Sequence, residues 1–194
     1  MPRNIAVILG HPDPAGTTYC AALAERYARA AEKAGHAVKL IDVAKLDFPI
    51  LRSAAEFAAP ATSPDIKAAQ ATIAWADHLV FVYPLWLGAL PALLKAFLEQ
   101  ICRGGFAVAP EAGGMKWAQK LKGKSARIVV TMGMPAVAYR WFFRAHSLKS
   151  FERNILRFAG IGPVRDTIIG MVERSPDHRR RWLERVAALG RKGA

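Results

Sequence analysis

Residues 78–101, HLVFVYPLWLGALPALLKAFLEQI, combine a short apolar strand, an apolar loop and the start of a helix. The run at 79–83 has Val and Phe at its centre and ends at Pro84, which is typical of a buried parallel strand. Pro91 suits the first turn of a helix, because the N–H that it lacks would be unpaired there. The loop at 85–90 has few polar groups. An apolar loop at the carboxyl end of a buried strand predicts a site for a flat organic ligand.

The rest of the chain alternates between strand-like and helix-like segments. Apolar strand-like runs lie at 4–10, 38–43, 79–83, 126–132 and 164–171. Helical patterns lie at 18–34, 64–75, 91–102, 147–159 and 176–189, and a glycine-rich stretch covers 104–114. Five βα units predict one α/β domain over 1–194, a doubly wound parallel sheet with right-handed crossovers and strand order 2-1-3-4-5.

That strand order predicts where a ligand lies. The order reverses between strands 1 and 3, so the loops after strands 1, 3 and 4 should meet at one edge of the sheet. These loops are residues 10–19, 84–90 and 132–141. They also have the most unusual compositions in the chain, so topology and composition point independently to the same three loops.

Composition excludes several classes of protein. The longest uncharged run, 79–94, contains two prolines and is shorter than the roughly 20 apolar residues of a membrane span. The apolar run at 5–9 is too short for a signal sequence, so we expect a cytoplasmic protein. Cys20 and Cys102 form no metal or redox motif, and the five histidines are scattered. No metal site is expected.

The net charge of +13 has more than one explanation. A basic surface can attract nucleic acid, but the basic residues are scattered and no zinc-finger, RRM or helix-turn-helix motif accompanies them. A solvated basic surface is the simpler reading. A basic mouth that attracts an anionic dinucleotide agrees better with the rest of the chain, so we expect no nucleic-acid partner.

The first loop, GHPDPAGTTYC at 10–20, is neither GxGxxG nor GxxxxGK[ST]. It is a rigid, proline-rich turn that leads into a helix at Gly16, Thr17 and Thr18. Free N–H groups at a helix start, together with two hydroxyls, suit a phosphate, although the threonines could equally serve only as helix caps. His11 could donate to a phosphate oxygen or simply fill the turn.

The loop after the fourth strand reads TMGMPAVAYRWFFRAHS from residue 131. Gly133 permits close approach of the backbone to a ligand. Tyr139 and His146 lie seven residues apart, and a hydroxyl beside an imidazole can stabilise negative charge and relay a proton. The aromatic run at 141–143 is expected in the core or in a dimer interface.

These loops resemble the flavodoxin-like NAD(P)H:quinone oxidoreductase family, which includes DT-diaphorase and the flavin-dependent ancillary subunits of bacterial potassium-efflux systems. His11-Pro12 resembles the phosphate loop of that family. The segment Pro84-Leu85-Trp86, followed by PALLK at 91–95, is similar to its signature around the isoalloxazine ring. Thr131-Met132-Gly133 matches its Thr-x-Gly flavin turn. Three features differ: GTTYC at 16–20 replaces the family's Ser-Phe-Asn, Trp86 replaces a Gln, and the spacing from Tyr139 to His146 is one residue longer.

The resemblance implies a flavin-dependent enzyme that passes hydride from NAD(P)H to quinones or similar planar acceptors by a ping-pong mechanism. FAD is preferred over FMN, because the longer first loop could enclose an adenylate half. Tyr139 and His146 fall where the family places the residues that assist hydride transfer. The expected cofactor contacts are His11, Thr17, Thr18, Tyr19, Cys20, Pro84, Leu85, Trp86, Leu87, Gly88, Thr131, Met132, Gly133 and Met134. Trp86 and Leu87 should form one wall of the ring pocket.

The resemblance also implies partners. Members are usually homodimers whose flavin sites lie at the subunit interface, and the aromatic run at 141–143 suits such an interface. Two other functions remain open. A regulatory subunit of a membrane transporter would have the same fold, with the basic surface docking on an acidic domain. A flavodoxin-type electron carrier fits less well with a net charge of +13.

Overall fold

The protein is seen in a computed structural model that describes residues 1–110 and 117–194. Its main sheet is parallel, with strand order β2-β1-β3-β6-β7, which confirms the predicted order 2-1-3-4-5. The strands of that sheet are β1 (Asn4–Leu9), β2 (Ala37–Asp42), β3 (His78–Pro84), β6 (Ser125–Thr131) and β7 (Val164–Ile169). A small antiparallel hairpin, which the sequence did not predict, consists of β4 (Val108–Pro110) and β5 (Trp117–Gln119).

The helices lie on both faces of the sheet, as predicted. They are α1 (Tyr19–Lys33), α2 (Ala54–Ala58), α3 (Pro64–Trp75), α4 (Ala92–Cys102), α5 (Ala136–Trp141), α6 (His146–Ser150) and α7 (Pro176–Lys192). The helix predicted at 147–159 is instead α6 followed by a π-helical segment, Phe151–Leu156. Part of the glycine-rich stretch, residues 111–114, lies outside the described residues. In the described part of the chain, no helix has the length and apolar character needed to cross a bilayer.

Two apolar layers hold the sheet. One layer packs α1 and α7 on the strands, where Leu23, Tyr27 and Val186 are fully buried. The other includes α3, α4 and the π-helical segment, and its centre is the edge-to-face pair of Phe81 and Phe151 with ring centroids 5.0 Å apart. β1 and β3 are buried on both faces, which explains why they read as continuous apolar runs.

His78 interrupts this apolar pattern at the start of β3. It is 3% exposed, and its Nδ1 lies 2.8 Å from Oγ of Ser125. Its pKa is lowered to about 4, mainly by burial and to a smaller extent by the nearby guanidiniums of Arg3 and Arg127. The ring is therefore neutral in the folded protein at neutral pH.

Acidification should destabilise the fold through this histidine. An unfolded His78 has a pKa near 6.5, so between pH 6.5 and 4 the unfolded chain binds a proton that the folded chain does not. The free energy of unfolding should therefore decrease as the pH is lowered below 6.5. At pH 4 the loss due to His78 should be roughly 3 kcal/mol relative to pH 7. Urea denaturation across this range measures the loss. His78→Asn, whose amide can still contact Ser125, should show a shallower slope, and an unchanged slope would contradict the assignment.

Candidate active site

The three loops at the carboxyl ends of β1, β3 and β6 meet, as predicted. The rings of His11 and Trp86 lie edge to face with centroids 5.7 Å apart, which joins the first loop to the second. The backbone N–H of Leu85 donates to the carbonyl oxygen of Thr131 at 2.7 Å, which joins the second loop to the end of β6. The site therefore lies where the strand order reverses.

The start of α1 offers unpaired hydrogen-bond donors. The hydroxyl of Thr18 accepts from the N–H of Ala21 at 3.2 Å, so this side chain serves as the helix cap. Within the described residues, nothing accepts from the backbone N–H groups of residues 17–20. The first turn of α1 also contains no acidic side chain. A helix N-terminus with open donors and no carboxylate of its own is suited to bind an anion.

His11 supplies a further donor beside this helix start. Its Nδ1 accepts the backbone N–H of Asp13 at 3.1 Å, which assigns the proton of the neutral ring to Nε2. Burial lowers the pKa of His11, outweighing the opposing effects of Asp13 and Asp42. At neutral pH the ring can therefore donate one hydrogen bond from Nε2.

The side chains of Tyr19 and Cys20 face the protein. The hydroxyl of Tyr19 donates to the backbone oxygen of Arg179 at 2.9 Å. Sγ of Cys20 lies 3.2 Å from Oγ1 of Thr131. Burial raises the pKa of Tyr19 to about 12 and that of Cys20 to about 11. The contacts predicted for these two residues and for Thr131 can therefore come from their backbones, while their side chains hold α1, β6 and α7 together.

The raised pKa of Cys20 predicts a slow reaction with alkylating agents. At pH 8 a thiol with a pKa of about 11 has roughly 100-fold less thiolate than one with an ordinary pKa of 9.0, and burial blocks access further. Iodoacetamide should leave Cys20 unmodified in the folded protein and modify it after unfolding in urea. Peptide mass mapping separates its peptide from that of Cys102. If Cys20 in the native protein were labelled as fast as free cysteine, the predicted burial and raised pKa of its thiol would be wrong.

The second loop forms a tight turn with an exposed apolar tip. Trp86 and Ala89 exchange backbone hydrogen bonds of 3.0 and 2.9 Å across Leu87 and Gly88. Leu87 has φ +47° and Gly88 has φ +77°. Glycine adopts such values freely, but they strain a leucine. Leu87 therefore combines a strained backbone with an exposed apolar side chain. Both features are typical of binding sites.

The turn after β6 presents bare backbone. Met132 is buried and its N–H donates to the carbonyl of Ile169 at 2.9 Å, which anchors the turn. A Cβ added to Gly133 would meet no atom within 4 Å. The N–H groups of Gly133 and Met134 have no acceptor among the residues that the structure describes. An open surface of free donors beside the apolar second loop fits the edge of a planar heterocycle such as flavin.

Tyr139 and His146 do not form the predicted hydroxyl–imidazole pair. Tyr139 is 2% exposed, and its hydroxyl lies 2.8 Å from Oγ of Ser147 and accepts the N–H of Leu148 at 3.2 Å. α6 begins at His146, so the next side chain points about 100° away around the helix. The side chain that reaches Tyr139 is therefore Ser147, and His146 is exposed.

The start of α7 also contributes to this region, which the loop-by-loop prediction missed. The half-buried Arg179 contacts Tyr19 through its backbone, and its guanidinium donates to the carbonyl of Val172 at 3.1 Å. Gly170 allows the loop after β7 to approach α5, because an added Cβ would lie 2.4 Å from the backbone nitrogen of Ala136. The sequence did contain a signal for this contribution of α7. In the predicted topology the first and last helices pack on the same face of the sheet, so the start of the last helix is expected near the start of the first.

Sequence comparisons agree with this geometry. An uncharacterized NAD(P)H oxidoreductase of Haemophilus influenzae is 28% identical over 189 residues, covering 95% of this chain and 92% of that protein. A ribosyldihydronicotinamide dehydrogenase-like protein of Penicillium crustosum is 28% identical over 155 residues, covering 67% of this chain but only 57% of the relative. The glutathione-regulated potassium-efflux system ancillary protein KefG of Escherichia coli is 40% identical over 77 residues, about 40% of this chain and 39% of that protein.

Solved structures share the same architecture. An NAD(P)H:quinone oxidoreductase from Methanothermobacter marburgensis superposes with a TM-score of 0.84, at 22% identity and 98% coverage of both chains. An FMN-dependent NADH-azoreductase from Bacillus anthracis, solved in complex with FMN, superposes with a TM-score of 0.74 at 14% identity and 97% coverage of both chains. At these identities the two structures establish the fold. The family model described as "Flavodoxin-like fold" matches residues 3–190, so the resemblance found in the loops is confirmed and the chain belongs to this flavodoxin-like family.

Proposed function

We propose that the protein is a flavin-dependent NAD(P)H oxidoreductase that reduces quinones or similar planar acceptors by a ping-pong mechanism. The observation that carries this proposal is the bare backbone at Gly133 and Met134, which lies beside an apolar loop and has no internal acceptor for its N–H groups in the described structure. The name of the Haemophilus influenzae relative supports NAD(P)H as the hydride donor, and that of the Penicillium crustosum relative supports a dihydronicotinamide donor more generally. When bound, the flavin would accept hydride from the nicotinamide and deliver it to the acceptor.

The chain's own residues would hold this cofactor at two points. The open N–H groups at the start of α1 and the Nε2–H of His11 donate to its phosphate oxygens. The N–H groups of Gly133 and Met134 donate to the ring edge, where negative charge accumulates on reduction. Trp86 and Leu87 exclude water from one side of the ring. Of the two flavins we favour FAD, because the first loop is long enough to contact an adenylate half.

Steady-state kinetics tests the proposed reaction. Initial rates with NADPH or NADH and a water-soluble quinone should give parallel double-reciprocal lines, because the first product leaves before the acceptor binds. Chromatography of the cofactor released by heating identifies FAD or FMN. Intersecting lines would contradict the ping-pong order, and absence of turnover with both nicotinamides would contradict the reaction.

The hydroxyls of Tyr139 and Ser147 provide a further test of the mechanism. We propose that buried Tyr139 orients the hydroxyl of the half-buried Ser147, which relays a proton to the acceptor as it is reduced. Tyr139→Phe and Ser147→Ala should each slow acceptor reduction by about tenfold or more and change its pH profile, with cofactor content unchanged. Stopped-flow absorbance measures the rates. Wild-type rates in both variants would remove this pair from the mechanism.

We also propose a cytoplasmic homodimer. The exposed side chains of Trp141, Phe142 and Phe143 follow the turn that carries Gly133, so a second subunit could cover them beside the site. Sedimentation equilibrium tests the stoichiometry, and a monomer with full quinone reductase activity would contradict it.

A transporter-regulating role is the second candidate function. The similarity to the potassium-efflux ancillary protein favours it. So does a groove between α1 and α7, whose charged lining is four basic residues and one acidic residue: Arg26, Arg29, Lys33, Arg191 and Glu184. Such a basic groove suits an acidic cytoplasmic domain. Salt-dependent co-purification with a transporter, combined with negligible quinone turnover, would favour this role over the enzyme.

A further inference from the structure

The opposite edge of the sheet, at the amino ends of the strands, contains a basic cavity. Its volume is about 180 Å³, and the side chains that matter in its lining are Arg3, His78, Ser125, Arg165 and Lys192. It is remote from the candidate active site, because the three site loops leave the carboxyl ends of the same strands. We call it the amino-edge cavity.

The strand register explains why these polar residues meet. Ile5 of β1 is paired with His78, and His78 is paired with Ser125. On β6 and β7, Arg127 is paired with Arg165. Because side chains alternate between the faces of a strand, His78, Ser125, Arg127 and Arg165 share one face of the sheet.

Apart from Thr131 and Thr167, that face is apolar along the rest of its length. Its other positions on the same strands include Val7, Val80, Val82, Val129 and Ile169, all buried in the layer beneath α1 and α7. The polar group is therefore confined to one corner. Burying a histidine and an arginine in otherwise aliphatic strands lowers the stability of the fold unless their polar atoms bind a partner.

Two buried nitrogens at this corner have no hydrogen-bond partner. They are Nε2 of His78 and Nε of Arg127, and the statement covers the residues that the structure describes. Ser125 holds only Nδ1 of His78, and Thr167 holds only a terminal nitrogen of Arg127. Buried donors are nearly always satisfied in folded proteins, and His78, one of these two residues, lines the cavity, so an acceptor is missing at this corner.

The cavity also has an excess of positive charge. In the described part of the chain, neither Arg165 nor Lys192 forms a hydrogen bond or ion pair through its side chain. The guanidinium of Arg3 donates only to the carbonyl of Gly193. The neighbouring carboxylate of Asp166 is paired with Arg140 at 2.6 Å and faces away from this group. No acidic side chain lines the cavity in the described structure, and the remaining lining includes the main chain of Ala194, the last residue of the sequence.

We propose that the amino-edge cavity binds a small tetrahedral oxyanion of the phosphate or sulfate class. The guanidiniums of Arg3 and Arg165 and the ammonium of Lys192 contact its outer oxygens. The imidazole of His78 forms the inner wall, in the tautomer whose Nδ1 accepts the hydroxyl proton of Ser125 and whose Nε2 carries the proton. A cavity of 180 Å³ is below the roughly 300 Å³ of sites for drug-sized ligands, so the ion enters without a nucleoside.

Calorimetric titration of the purified protein, with its own cofactor, tests this proposal. The probe is inorganic phosphate in a chloride buffer free of other oxyanions. The Arg165→Gln/Lys192→Gln double variant should bind phosphate at least about tenfold more weakly than the wild type. The exposed pair Arg52→Gln/Lys67→Gln removes the same charge elsewhere and should leave binding unchanged. Both altered pairs are exposed, so folding is not at risk.

Three outcomes of the phosphate titration would overturn the proposal. They are absence of phosphate binding, equal binding by wild type and the Arg165/Lys192 variant, and equal weakening in the control. Adenosine monophosphate should bind no more tightly than phosphate, and a much tighter complex that depends on Arg165 would overturn the assignment to a free ion. As an independent readout, phosphate should shift the His78 ring resonances in nitrogen-15 NMR, assigned by their loss in His78→Asn. Unshifted ring signals at saturating phosphate would also overturn it.

Discussion

The Gly133→Val variant is expected to fold like the wild type and to bind flavin about 100-fold more weakly or not at all. In the protein alone, a Cβ at this position meets no atom within 4 Å, so the substitution creates no internal clash. In the proposed complex the same space is filled by the ring. Equilibrium dialysis of the apoprotein with FAD and FMN measures the affinity, and thermal unfolding in the absence of flavin checks the fold.

A graded series sharpens this test. Gly133→Ala adds one carbon and should weaken binding less than Gly133→Val, because a smaller group displaces the ring less. Ala71→Val adds comparable bulk at an exposed position of α3, outside the three site loops, and serves as the control. Undiminished flavin binding by Gly133→Val would mean that the ring does not lie against this turn.

The Thr17→Glu variant is expected to lose flavin affinity while gaining stability. A carboxylate beside the first turn of α1 interacts favourably with the helix dipole, which should add about 0.3–1 kcal/mol to the free energy of unfolding. The same charge repels the flavin phosphate from the open N–H groups of residues 17–20, so affinity should fall by about 10- to 100-fold. The opposite signs of these effects separate site disruption from unfolding.

Thr17→Gln is the matched control for charge. It has nearly the same shape as glutamate, so it should retain most of the affinity, and the difference between the two variants should shrink as salt is added. Equal affinities for the glutamate and glutamine variants would place the phosphates away from the start of α1.

The strand order and the meeting of the three loops could be predicted from sequence because both depend on strong, local patterns. Buried parallel strands such as Leu79–Tyr83 within β3 are continuous apolar runs, and five of them joined by helices allow few arrangements. Once the strand order is known, the loop that contains Trp86 and the loop that contains Gly133 must lie next to each other. The observed contact between His11 and Trp86 agrees with that geometry.

The sequence patterns could not predict which way individual side chains point. Tyr139 and His146 are both present, but the hydroxyl of Tyr139 contacts Ser147, the second residue of α6. His146 would take that position only if α6 began one residue earlier, at Ala145. Two consecutive left-handed residues, Arg144 and Ala145, set this start, and neither is a glycine that would have marked the turn.

The amino-edge cavity shows a related difficulty. Its residues come from separate parts of the chain, and only the register of parallel strands brings them to one corner. The available signal was Arg127 in the middle of an aliphatic run, SARIVVT. A charged residue in a buried strand requires a partner, but sequence alone does not identify which strand supplies it.

The most direct test of the central claim is the visible absorption spectrum of the purified protein, recorded before and after addition of NADPH under nitrogen. We predict a yellow protein whose flavin absorption bleaches on addition of NADPH and returns when a quinone is supplied. A colourless protein that takes up neither FAD nor FMN, or a flavin spectrum unaffected by both NADPH and NADH, would contradict the proposed function.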